Sequence, residues 1–141
     1  MRVKARALIW IEHRLIVARQ QRRGRTELSL PGGRVNDHES LVDAVTREVL
    51  EETGLEVEPN RLVYVFESIQ PVGSHELELI FLAEPCDVPR LGGFEAIDLA
   101  AGRRPAVRPA ILDVIARDAE SAWRDTPRWL GNVSGAAAFT D

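Results

Sequence analysis

The segment GRVNDHESLVDAVTREVLEETGL, Gly33–Leu55, closes on glutamates at positions 48, 51 and 52 and is bracketed by Gly33 and Gly54. It reads as a loop feeding a helix. Asn36 followed by Glu39 has the form of a capping box, and Gly54 stands where a helix commonly ends in a left-handed residue. Together they predict one helix from about Asp37 to Thr53. At about 100° per residue, Leu41, Val42, Val45 and Val49 share one arc, the face expected to be buried. Glu52 falls inside that arc, Glu48 at its edge and Glu51 further round. Asp43 and Arg47 take the solvated side, where Leu50 is a misfit.

Residues three or four apart on a helix have Cβ atoms about 5 to 6 Å apart, and like charges there cost a few tenths of a kcal/mol per pair even in water. Partial burial raises that cost, so the cluster calls for a reason. Three readings compete. The glutamates are ordinary helix formers with Arg47 paired to Glu51 four residues on; or one of them is a lone general base, which needs no cluster; or the group holds a hard divalent cation. Mg²⁺ takes oxygen ligands and keeps waters and substrate phosphates in its remaining positions. The third reading also gives the flanking glycines a role, as bare backbone able to approach the same ion.

Upstream, Val3, Ala5, Ala7 and Ile9 alternate with Lys4, Arg6 and Leu8, and Leu15-Ile16-Val17-Ala18 follows after Glu12-His13-Arg14, which predicts a two-stranded hairpin. Arg19, Arg22, Arg23 and Arg25 then make a local cationic patch, read as a basic loop that is either merely solvated or in contact with phosphate. Leu28-Ser29-Leu30 stops at Pro31-Gly32-Gly33, a strong breaker. Downstream, strands are expected at Leu62–Phe66 and Glu76–Leu82, separated by a loop through Pro71 and Gly73, with a turn and short strand over Gly92–Leu99. Ile111, Val114, Ile115 and Ala119 keep a helical interval within Ala106–Trp123. Strands interrupted by single helices define an α/β protein with a mixed sheet and helices packed on it. Residues 1–130 are expected to form one domain and residues 131–141, with Gly135-Ala136-Ala137-Ala138, a flexible tail.

The chain's 141 residues suit one domain that buries a substantial core. At 45% hydrophobic and 28% charged it has globular composition, and no apolar run approaches the roughly 18 residues of a membrane span. The net charge of −4 argues against bulk attraction to nucleic acid. The start of the chain lacks the pattern of a signal peptide, and a lone cysteine, Cys86, excludes an intrachain disulfide. A reducing, cytoplasmic setting is expected.

The opening segment resembles the Nudix box: Gly, five residues, Glu, seven residues, Arg-Glu, an aliphatic, any residue, Glu-Glu, any residue, Gly, an aliphatic. Gly33, Glu39, Arg47, Glu48, Val49, Glu51, Glu52, Gly54 and Leu55 fill every defined position. With average residue frequencies such a match arises by chance on the order of once in tens of millions of chains. Leu30-Pro31-Gly32 also resembles the family's usual approach to the box. The resemblance implies an α/β/α sandwich and hydrolysis of a nucleoside diphosphate linked to another moiety, with Mg²⁺ or Mn²⁺ as cofactor. It assigns metal binding to Glu48, Glu51, Glu52 and the Gly32 carbonyl, and catalysis to Glu48 or Glu51 as water-activating groups. Glu76, Glu78 and Glu95 are alternative bases outside the box, although the polar face of a half-exposed strand accounts for each of them more simply. Glu39 and Arg47 take supporting roles: Glu39 as a cap or an outer metal contact, the cap favoured by Asn36, and Arg47 as a donor orienting a glutamate in preference to a substrate contact. Arg22, Arg23 and Arg25 are the expected phosphate contacts.

Pro71, 16 residues after Leu55, resembles a position that marks ADP-ribose pyrophosphatases of the family, which favours ADP-ribose or a nucleotide sugar over nucleoside triphosphates and dinucleoside polyphosphates. Leu28 stands where many members carry Trp, removing one base-stacking surface. Trp123 and Trp129 are open to three roles: base stacking, core packing or a dimer contact. Family habit implies a homodimer. The contrasting reading is a nucleotide-sensing domain without turnover, which the full set of box glutamates disfavours.

Overall fold

The computed structural model describes residues 1–86 and 94–133. In chain order these form β1 (Arg2–Ile11), β2 (Arg14–Arg22), β3 (Arg25–Ser29), β4 (Gly32–Arg34), α1 (Leu41–Thr53), β5 (Val57–Ile69), β6 (His75–Pro85), β7 (Phe94–Ile97), β8 (Val107–Arg108), α2 (Leu112–Glu120) and β9 (Arg128–Asn132). Paired strands run β8-β3-β2-β1-β6-β5-β9, with β4 also on β1 and β7 also on β2. β1 joins the two halves. It lies parallel to β6 from Arg2 to Ile9 and antiparallel to β4, where Ala5 faces Gly33 and Arg6 faces Gly32. Its far end pairs antiparallel with β2 through Trp10 and Ile11.

Alternation along β1 divides the core. Ala5, Ala7 and Ile9 pack with Val45 and Val49 of α1, while Leu8 packs with Val114 and Ile115 of α2. Successive strand residues point to opposite faces, so one strand serves two apolar layers and the helices cover opposite sides of a mixed sheet. This is the expected α/β/α sandwich.

Several local expectations change. The predicted basic loop is a hairpin: Arg22 pairs with Arg25 across a two-residue turn in which Arg23 and Gly24 have φ of 52° and 74°. Left-handed φ at both central positions matches the twist of the flanking strands, so Arg22 and Arg25 ride on strand ends and Arg23 lies in the turn between them. Helix α1 begins at Leu41, four residues later than expected, because Ser40 is the cap and its hydroxyl accepts the Asp43 N–H at 3.1 Å. Ala44, Val45, Val49 and Thr53 form its buried face. Val42, expected inside, is 45% exposed, and Leu50 is exposed at 46%. Arg47, expected on the solvated side, is half-buried.

α2 is shorter than the Ala106–Trp123 expectation. Val107 and Arg108 instead form β8 beside β3, and Pro109, without an N–H, lies between that pairing and the helix. At the other end, Gly131 and Asn132 belong to β9, and Val133 is buried with its N–H donated to the Glu67 carbonyl at 2.7 Å. The expected tail therefore starts packed. Residues 134–141 and the Gly92-Gly93 turn lie outside the described residues, while Phe94–Ile97 is a strand as expected.

Candidate active site

The site is built where α1 meets β4. Gly32 has φ of 142°, and a Cβ there would stand 2.3 Å from the Ala5 carbonyl oxygen and 2.4 Å from Arg6 Cα. Only glycine lets β4 lie this close over β1. A Cβ on Gly33 would meet the Glu48 carboxylate at 2.8 Å, so the second glycine leaves the space in which that carboxylate rests. The two glycines thus do different work: Gly32 seats the strand and Gly33 makes room for the acid.

Glu52 reaches the same strand. The Gly32 N–H donates to Glu52 Oε1 at 2.8 Å, and the Gln20 side-chain amide on β2 donates to Glu52 Oε2. Burial pushes the Glu52 carboxyl above its ordinary range, while these donors and Arg6 pull in the opposite direction and the charge of Glu48 adds to the rise. Glu48 is 19% exposed. It accepts a hydrogen bond from Arg47 Nη1 at 3.0 Å.

Arg47 ties three carboxylates together. It forks onto Glu39, Nε to Oε2 at 2.7 Å and Nη2 to Oε1 at 2.9 Å. The same guanidinium reaches Glu48, and Glu51 Oε1 at 3.3 Å, and donates to the Arg34 carbonyl at 3.1 Å. Such forked, charge-assisted contacts are among the stronger hydrogen bonds. The Glu39 carboxyl is held at about 2, chiefly by Arg47 and then by the Asn36 N–H, which donates to Oε1 at 3.0 Å. The Asn36–Glu39 bond therefore forms in the loop ahead of the helix, because Arg47 holds the Glu39 carboxylate there. The guanidinium's own pKa is raised further by its glutamates, Glu39 foremost.

The structure brings Glu48, Glu52, Gly32 and Gly33 to one place. Glu51 is 57% exposed and turns toward Arg47. Among the described residues, no three acidic, histidine or cysteine side chains converge closely enough to hold an ion in the present arrangement. The donor chemistry nevertheless suits a hard divalent cation: every candidate side-chain ligand is a carboxylate, and the Gly33 gap leaves Glu48 against bare backbone.

Arg22, Arg23 and Arg25 are exposed at the end of the β2–β3 hairpin. Gln20 and Arg22, two apart on β2, share a face, and Arg25 opposite Arg22 shares it too. The face that meets Glu52 through Gln20 therefore continues into paired arginines, while Arg23 sits in the turn. Like charges directly across a strand pair repel, an arrangement that an anion between them would relieve.

The outlying glutamates sit elsewhere. Glu78 is buried and paired with Arg6 at 2.6 Å, so the half-exposed strand reading does not hold for it. Glu76 pairs with Lys4 at 3.0 Å, and Glu95 is exposed on β7. Trp123 is a core residue, 6.4 Å from the Trp10 ring and 6.0 Å from Tyr64, and Trp129 is 56% exposed on β9. Sequence reasoning missed Gln20 and Ser40. Gln20 carries no motif; its even spacing from Arg22 on β2 was the available signal.

The chain matches the NUDIX domain family over residues 1–99. It belongs to the Nudix hydrolase family. A stretch of 71 residues is 37% identical to the human 8-oxo-dGDP phosphatase NUDT18 and covers 50% of this chain but 21% of that protein, so the chain matches about a fifth of its curated relative's length. Among solved structures, a MutT NUDIX hydrolase from Burkholderia pseudomallei is 27% identical with a TM-score of 0.63, covering 74% of this chain and 88% of that one. An ADP-ribose pyrophosphatase from Streptococcus suis shares the fold, with a TM-score of 0.66 at 21% identity over 93% of this chain and 97% of its own.

Proposed function

We propose that this protein hydrolyses a phosphoanhydride bond of a nucleoside diphosphate, free or linked to a further group such as a sugar, in a divalent-metal-dependent reaction. The observation that carries the reading is the seating of Glu52 and Glu48 on the two glycines of β4 at the end of a complete Nudix box. Glu48 and Glu52, one helical turn apart, are the proposed principal ligands for Mg²⁺ or Mn²⁺, with Glu51 and the Gly32 carbonyl as further donors. When bound there, such an ion would supply charge neutralisation to phosphate oxygens and a lowered pKa to water.

The chain's own residues supply the rest. Water's oxygen bonds to one phosphorus, the bridging P–O bond breaks, and its electron pair departs with the other phosphate. Glu48 or Glu51 accepts the water's proton; a carboxylate placed against the attacking water lowers the barrier by general base catalysis. Arg22, Arg23 and Arg25 face the negative charge that grows on the leaving phosphate. Arg47 orients the carboxylates from behind, and Glu39 holds Arg47.

Two features bear on the substrate. The likeness to an 8-oxo-dGDP phosphatase supports a nucleoside diphosphate, and Pro71 in the β5–β6 connection favours an attached sugar, as in ADP-ribose. The test is phosphate or nucleotide release from ADP-ribose, nucleotide sugars, 8-oxo-dGDP, dinucleoside polyphosphates and nucleoside triphosphates, with and without Mg²⁺. Metal-dependent turnover of a diphosphate substrate is expected. Nucleotide binding with no turnover of any of them would identify a sensing domain and overturn the proposal.

A further inference from the structure

The Arg6–Glu78 pair lies on the opposite side of the sheet from α1. Along β1, Ala5, Ala7 and Ile9 face α1 while Arg6 shares the face of Leu8, which packs toward α2. Both side chains are almost fully enclosed, at 11% and 6% exposure, and Arg6 Nε donates to Glu78 Oε1 at 2.6 Å. A charge pair this buried is not required for stability, since well-packed apolar residues often serve as well. Its retention calls for another account.

The second donation from Arg6 supplies one. Arg6 Nη1 donates to the Leu30 carbonyl at 3.0 Å. Leu30 immediately precedes Pro31-Gly32, and the next carbonyl, that of Pro31, accepts the Ala7 N–H at 2.8 Å. Gly32 then crosses directly over Arg6 with no room for a side chain and donates its N–H to Glu52. One guanidinium, fixed by Glu78, therefore sets the backbone from which the Glu52 carboxylate is aimed.

We propose that Arg6 and Glu78 are positioning residues: through the Leu30 carbonyl they fix the Pro31-Gly32 peptide, and thereby Glu52, from the far face of the sheet. Glu78 acts as a clamp on Arg6, and it has no part in proton transfer. The inference extends the proposed hydrolysis, but its structural half stands without it.

Two substitutions and one exchange measurement test it. Glu78→Gln keeps an oxygen that accepts from Arg6 Nε, so kcat should stay within a few-fold of wild type with an unchanged pH profile; a loss of a hundredfold or more would make Glu78 a base and overturn the proposal. The double variant Arg6→Met, Glu78→Leu replaces the pair with apolar groups and should keep its thermal midpoint while kcat falls at least tenfold and KM changes little. Independently of turnover, hydrogen exchange at the Gly32 amide should accelerate at least tenfold in that variant, with the β1–β6 amides unchanged. Wild-type kcat and Gly32 protection in the stable double variant would show the pair to be structural only. If the double variant loses its midpoint, the same exchange and kcat readouts on Arg6→Lys decide: lysine's single ammonium nitrogen replaces the two nitrogens that reach Glu78 and the Leu30 carbonyl separately, so both must move for the proposal to hold. Wild-type protein without hydrolytic activity would refute the proposed function while leaving the exchange result to judge this one.

Discussion

The amide of Gly32 donates to Glu52 over 2.8 Å, joining a glycine that sequence alone marks as a chain breaker to a glutamate 20 residues later. That bond explains why a carboxylate can stand at the margin of the apolar face of α1. Desolvation disfavours its charge, and the buried N–H, which needs an acceptor in any case, returns part of the loss. Supply and demand for one hydrogen bond are met by a single contact.

The two glycines should respond differently to the same methyl group. Gly32→Ala places Cβ against rigid backbone at a left-handed φ, and strain plus overpacking should cost about 3 kcal/mol or more. The nearest atoms that Gly33→Ala meets belong to the movable end of Glu48, so its stability should change by less than about 1 kcal/mol while kcat falls at least tenfold. Denaturant melts and steady-state rates on both variants separate the roles; equal loss of stability would refute the distinction.

The Glu39 carboxyl gives a pH-dependent prediction. Its folded pKa of about 2 lies below the ordinary 4.5, so its contribution to stability is complete above about pH 5.5 and is lost as pH falls through 4.5 toward 2. Glu39→Gln should therefore melt lower than wild type at pH 7, and the two melting curves should converge as pH approaches 2. A gap between them that stays constant with pH would show that the Arg47 contact contributes nothing through charge.

Much of this was readable beforehand, for physical reasons. The box fixes residue types at helical spacing, and helical spacing fixes which side chains share a face, so the placement of Glu48 and Glu52 near the core followed from Leu41, Val45 and Val49. The start of α1 did not follow, because Ser40 caps the helix in place of Asn36, and the Glu39 carboxylate expected to reach back from within the helix is held in the loop by Arg47, eight residues on. Gln20 was hidden for a similar reason: its contact to Glu52 spans 32 residues and depends on strand register. The same holds for Glu78, whose alternating neighbours read as a half-exposed strand until Arg6 is placed beside it.

Metal should act on the fold as well as on the rate. Glu48, Glu51 and Glu52 repel one another, and a cation bound only by the folded chain stabilises it by mass action, about 2.7 kcal/mol at a hundred times its Kd. The thermal midpoint should rise with Mg²⁺ or Mn²⁺ and fall back with EDTA, and Glu48→Gln should blunt the rise. A midpoint indifferent to both ions at millimolar concentration would count against a metal site on α1.

The most direct measurement compares Glu52→Gln with wild type on whichever diphosphate substrate the panel identifies, at saturating Mg²⁺. Glutamine retains an oxygen for the Gly32 amide, so the fold is spared while the charge is removed. The account predicts a loss of kcat of a hundredfold or more with a thermal midpoint close to wild type. Unchanged turnover in a folded Glu52→Gln protein would contradict it.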